Sequence, residues 1–165
     1  MPICEPPPDM RPNLIFETVN HEAIATAYEG IRKALEAQLL QSAYLMQESY
    51  FEDALKRLAT ARSLRRGWDT YDSEAPNEYA LSKSEVILQF LRRENLAPKR
   101  LLPSAEGGVG ISFVEGDNRA ELEIFNSGEV VAATYTSQSE PVVWEIGTDQ
   151  SLAVAIARIR VHLAS

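Results

Sequence analysis

Apolar residues recur at steps of three and four from His21 onward: Ile24, Tyr28, Ile31, Leu35 and Leu39, then Met46, Tyr50, Phe51, Ala54, Leu55 and Leu58. That is the period of a helix. No proline and a single glycine, Gly30, interrupt residues 21 to 66. The spacing predicts either one long helix or an antiparallel pair broken near Gln41 to Gln47, where the stripe weakens. A stripe that outlasts its own domain favours self-association as a coiled coil. The alternative is that it packs on the rest of the chain, because the repeat is not a clean heptad.

Beyond residue 76 the pattern changes twice. Ser82 and Glu85 form an S-x-x-E capping box, and the helix it opens places Val86, Ile87, Phe90 and Leu91 inward, ending near Asn95 ahead of Pro98. Strands follow: LLPSA, VGISFVE, AELEIFN and EVVAATY, separated by the turn-formers EGG, GDNR and NSG. Val109, Ile111 and Phe113 share one strand face, while Leu122 and Ile124 alternate with Glu121 and Glu123. A fifth strand is expected over Pro141 to Ile146. A last helix starts at Thr148 or Asp149 and aligns Leu152, Ile156, Ile159 and Leu163. The order predicts an α+β fold: a long N-terminal helix or helical hairpin, a second helix, a meander of four to five antiparallel strands, and a C-terminal helix packed on one sheet face. Residues 21 to 165 read as one domain, with a helical part to residue 66, preceded by an extended, proline-rich arm over residues 1 to 20.

Between the helical stretches lies LRRGWDTYDSEAP, residues 64 to 76. Arg62, Arg65 and Arg66 suit the negative end of a helix, Gly67 suits the left-handed residue that ends one, and Trp68 is placed to fold back on the last turn. Asp69 and Asp72 can close turns through their side chains, and Pro76 stops the chain from continuing as it was. The stretch therefore reads as helix termination with a buried indole anchor, or alternatively with Trp68 exposed for a partner. Gly67, Trp68, Asp69, Tyr71 and Pro76, followed by a capped helix and a meander with an E-x-E strand, resemble small uncharacterised bacterial proteins that share a GWD-x-Y motif. The resemblance spans about residues 62 to 135. It implies the architecture and no activity.

The chain is 45% hydrophobic and 24% charged over 165 residues, the profile of a soluble globular domain. No apolar run approaches the roughly 18 to 20 residues that cross a bilayer, and MPICEPPPDMRPN does not read as a signal peptide. With one cysteine, Cys4, an internal disulfide and a four-cysteine zinc site are excluded. The cytoplasm is the expected compartment. The net charge of -8 is concentrated between residues 101 and 150, which carry nine acidic side chains and one basic one, Arg119. Such a block is expected to repel DNA, whose backbone requires clustered cations.

Catalytic signals are few. His21 and His162 are not near a nucleophile elbow and read as solvated surface residues. Gly107, Gly108 and Gly110 open a strand rather than a helix, so they read as hairpin and bulge glycines rather than a phosphate loop. The carboxylates are the remaining candidates. Asp69, Asp72 and Glu74 form a set suited to a hard divalent cation. Glu121 and Glu123, joined by Glu115 or Glu129, would suit a two-metal hydrolase, although none of the four lysines falls within a predicted strand. A solvated acidic sheet face accounts for the same residues.

These readings converge on a non-enzymatic module that binds another protein, of the adaptor, antitoxin-like or immunity-like kind, from a bacterium or mobile element. Its partner-binding candidates are Trp68, Tyr71, Tyr44, Tyr50 and Phe51. The expected partner is basic, or a second copy meeting it through the long helix, with no cofactor, membrane or direct nucleic-acid contact. The rival readings are a metal-dependent hydrolase using the acidic residues and an acidic nucleic-acid mimic.

Overall fold

The computed structural model describes residues 21–147 and 149–165. The expected N-terminal arm, with Cys4, lies outside these residues, as does Thr148. The elements are α1 (His21–Ala61), α2 (Glu78–Arg93), β1 (Arg100–Pro103), β2 (Gly108–Glu115), β3 (Asn118–Phe125), β4 (Val130–Thr136), β5 (Val142–Glu145) and α3 (Asp149–Leu163). This is the predicted α+β order. Of the two alternatives for the first element, the single helix holds: α1 runs unbroken through 41 residues.

The chain divides into two units, one ending at Leu40 and one running from Gln41 to Ser165. In the first, every residue from His21 to Leu40 is helical and exposed. The second contains the sheet and the core. Its five strands lie in the order β1-β2-β3-β4-β5, each antiparallel to the next. Two-residue periodicity then sorts the side chains. Leu101, Val109, Ile111, Phe113, Ala120, Leu122, Ile124, Val130 and Ala132 are buried on one face. Against them pack Leu81, Ile87, Leu88 and Leu91 of α2, Leu152, Ile156 and Ile159 of α3, and Phe51, Ala54, Leu58 and Ala61 of α1. The opposite face, which carries Glu121 and Glu123, is not part of this core. Among the described residues no buried side-chain polar atom lacks a partner; the hydroxyl of Ser84, for instance, donates to the Ala80 carbonyl at 2.7 Å.

Two helix boundaries differ from the sequence expectation, while the end of α2 near Asn95 agrees with it. α1 stops at Ala61 instead of Arg66, because the N–H and hydroxyl of Ser63 both donate to the Thr60 carbonyl, at 3.0 and 2.8 Å, closing a tight turn in place of another helical one. The cations Arg62, Arg65 and Arg66 consequently lie beyond the last helical turn. α2 opens at Asn77, whose side chain accepts from the Ala80 N–H at 2.9 Å, so Ser82 and Glu85 lie inside the helix and form no capping box there. Asparagine ranks at least level with serine as an N-cap, and Pro76 already ends what precedes. At the far end Asn95 adopts φ 52°. The Leu96 N–H reaches the Leu91 carbonyl at 3.0 Å and the Asn95 N–H the Arg92 carbonyl at 3.2 Å, so asparagine takes the place that glycine often fills in this motif.

Candidate functional site

The loop after α1 is self-contained. Gly67 does have the expected positive φ, 78°, yet it ends no helix. Its N–H donates to the Ser73 carbonyl at 2.9 Å, and its own carbonyl accepts from the Thr70 N–H at 3.2 Å. Asp69 organises the interior: Oδ1 accepts from the N–H groups of Tyr71 and Ser73 at 3.1 and 3.2 Å, and Oδ2 from the Ser73 hydroxyl at 2.6 Å. The Ser73 hydroxyl, with those two N–H groups behind it, holds the Asp69 carboxyl below the usual carboxylate range. Arg66 clamps Asp72 through two bonds of 3.0 and 2.7 Å and lowers it likewise. The turn is compact enough to leave Thr70 and Asp72 at φ 71° and 64°. The Trp68 indole N–H donates to the Glu74 carbonyl at 3.3 Å. Trp68 is half-buried and is not among the side chains packed against the core, so it is not the buried anchor expected of it.

The five aromatic candidates fall into separate settings. Tyr71 is 87% exposed at the tip of this loop. Tyr44 is exposed on α1. Tyr50 is half-buried, its hydroxyl accepting from Lys99 Nζ at 2.8 Å with the ammonium 4.7 Å from the ring centre. It lines a groove of about 520 Å³ together with Met46, Leu96, Phe113, Arg160 and Leu163. Phe51 is a correction: at 3% exposure it belongs to the core, with the Arg92 guanidinium 5.9 Å from its ring centre, and it is not a surface anchor. Helical spacing alone puts Tyr50 and Phe51 one residue apart on either side of the boundary between rim and core.

The carboxylates are dispersed among local partners. Glu121 accepts from the Tyr135 hydroxyl at 2.8 Å and Glu123 from the Ser104 hydroxyl. Glu115 pairs across the hairpin end with Asn118, in strand phase with the core residues Ile111 and Phe113, and Glu129 precedes β4. The four therefore do not share one sheet face. Among the described residues no three His, Cys, Asp or Glu side chains come together as a metal site. His162 departs from the solvated reading: it is half-buried, with Nε2 3.1 Å from the Tyr135 carbonyl. Several of the cations also have partners, Arg62 with Glu78 at 3.6 Å, Arg66 with Asp72 and Arg92 with Glu48.

A row of uncovered apolar side chains lies in the first unit. Ile24, Tyr28, Ile31, Leu35 and Leu39 are 42 to 70% exposed. The sequence stripe named all five but left open what covers them, and within the described chain nothing does. The polar side of the same segment is internally paired: Arg32 bridges Glu29 and Glu36, both at 2.7 Å, and Lys33 lies 3.6 Å from Glu29. No described helix is long and apolar enough to cross a membrane. The chain matches no family model, no curated protein and no solved structure.

Proposed function

We propose that this protein is a non-enzymatic module that binds another protein, in the manner of an adaptor or of an antitoxin- or immunity-like partner. One observation carries the reading: the row from Ile24 to Leu39 holds five large apolar side chains in water, on a helical segment exposed along its whole length. Helices of globular proteins draw most of their stability from burying an apolar face, and contiguous apolar patches of several hundred Å² mark interaction sites. The carboxylates give the hydrolase reading little to build on, because Asp69, Asp72, Glu121 and Glu123 each already serve a local hydrogen bond or ion pair.

The test is co-purification of the full-length chain from its native lysate, compared with Ile31→Glu/Leu35→Glu. The expected result is a stoichiometric protein, which includes the case of a second copy of the chain, bound by the wild type and lost from the variant, whose melting temperature is unchanged. Binding that survives the double substitution removes this surface from the reading. A turnover activity abolished by Asp69→Ala would replace it with an enzyme.

A further inference from the structure

The row of large residues has a neighbour that periodicity reveals. Ala27, Gly30, Ala34 and Ala37 follow one another at steps of three and four. At about 3.6 residues per turn they form a second line along the helix, beside the line of Ile24, Tyr28, Ile31, Leu35 and Leu39. Both lines are exposed. Gly30 completes the shallow one, for a side chain built there would meet nothing within 4 Å. The charged residues Glu22, Glu29, Arg32, Lys33 and Glu36 all fall within about a third of the circumference, on the remaining side. One face of this segment is thus a ridge beside a furrow, without a single charge on it.

Resting on the interaction reading above, we infer that the occupant of this face is a second copy of the same chain. A two-fold axis requires a surface to be complementary to itself. A ridge beside a furrow satisfies that condition: each copy lays its large side chains in the other's line of small ones, as knobs enter holes. Charge permits the pairing. Although the chain carries -8 overall, residues 21 to 40 hold three glutamates against an arginine and a lysine, and Glu29 and Glu36 pair with Arg32 and Lys33 on the far side. Two copies therefore meet through a neutral face. The area is sufficient as well. At roughly 200 Å² per large side chain and the exposures observed, the ridge presents on the order of 500 Å² per chain. Two chains then bury about 1,000 Å² before the furrow is counted, which meets the roughly 1,000 Å² that a specific interface should clear. A lipid surface is the poorer occupant, since helices that lie on anionic membranes carry a Lys/Arg-rich polar side and this one is led by glutamates.

The experiment is sedimentation equilibrium of the full-length protein from about 1 to 100 µM, the range of moderate dimers. The expected result is a reversible dimer in the wild type. Leu35→Glu on the ridge and Ala34→Glu in the furrow should each weaken it at least about a hundredfold, as loss of an interface centre does. Leu40→Glu serves as the control, because Leu40 is 72% exposed but falls on the charged side, and it should remain dimeric. Thermal melts report whether each variant is folded. A wild type that stays monomeric throughout, or a dimer indifferent to both Leu35→Glu and Ala34→Glu, overturns self-pairing. So does row-dependent binding to phosphatidylserine vesicles. If the wild type is monomeric yet a lysate protein is lost with Ile31→Glu/Leu35→Glu, self-pairing alone is wrong. If that binding is absent too, the interaction reading falls with it.

Discussion

Asn126 holds Asn77 in place across 49 residues of sequence: its Oδ1 accepts from the Asn77 N–H at 2.8 Å, and its carbonyl accepts from Asn77 Nδ2 at 3.0 Å. Asn126 Nδ2 donates in turn to the Ala75 carbonyl at 2.9 Å. The N-cap of α2 is therefore fastened to the turn between β3 and β4. Asn126→Ala removes two side-chain bonds and strands a backbone N–H and a carbonyl, so it should cost about 1 to 3 kcal/mol. Urea denaturation checks this, and a variant within error of the wild type would show that water replaces the clip.

Two glycines should respond in opposite directions. Gly108 has φ 137°, and an added Cβ would lie 2.1 Å from the Ile124 carbonyl oxygen. Gly108→Ala should therefore destabilise by about 3 kcal/mol or more, since backbone on both sides must shift. Gly30→Ala meets no obstacle and should stabilise the α1 segment by up to about 1 kcal/mol through helix propensity. Paired thermal melts with helical circular dichroism separate the two effects.

Aromatic truncations should rank by burial rather than by size. Phe51→Ala, at a site 3% exposed, should cost about 3 to 5 kcal/mol. Trp68→Ala should cost only about 1 to 2 kcal/mol, since its indole is half-buried and makes one hydrogen bond to the loop it sits in. Tyr71→Ala at the exposed tip should be close to neutral in stability. Chemical denaturation of the three variants gives the order, and a loss at Trp68 as large as at Phe51 would contradict it.

Acid should loosen the loop between α1 and α2. The carboxyl groups of Asp69 and Asp72 lie below their ordinary values. A carboxylate lowered by folding stabilises the native state fully above its unfolded value, about 4. That stabilisation is lost as pH falls through the folded value. The wild type should therefore melt above Asp69→Asn at pH 7, and the two should converge as the pH falls through the lowered value of the Asp69 carboxyl. A gap between them that persists unchanged at low pH would mean that charge on Asp69 contributes nothing.

Element identity was legible because it rests on local period. Alternation of two along VGISFVE and AELEIFN, with Gly116 and Gly128 at the turns, became β2 and β3 in the expected order. The apolar line Leu152, Ile156, Ile159 became the buried side of α3. Element ends were less legible, because several side chains compete for the same backbone groups. Ser82 and Glu85 had a capping spacing, yet Asn77 opened the helix with Asn126 behind it. Arg66 suited a helix terminus, yet found Asp72 instead.

The surface divides in the same way. Residue spacing by itself determined that an apolar row runs from Ile24 to Leu39 and that Glu121 and Glu123 alternate with the apolar Leu122 and Ile124. Only the tertiary structure decided which apolar residues are covered. Phe51 and Ile31 belong to the same stripe in sequence, and one is 3% exposed while the other is 58% exposed. Periodicity states which side of a helix is apolar; burial requires other residues to reach that side, and the core cluster that Phe51 joins supplies them. For Asp69 the deciding partners, Tyr71 and Ser73, were adjacent in sequence, but which role the carboxylate takes depends on φ values at Gly67, Thr70 and Asp72 that no residue pattern specifies. A turn residue and a metal ligand are written with the same letters, and the path of the backbone chooses between them.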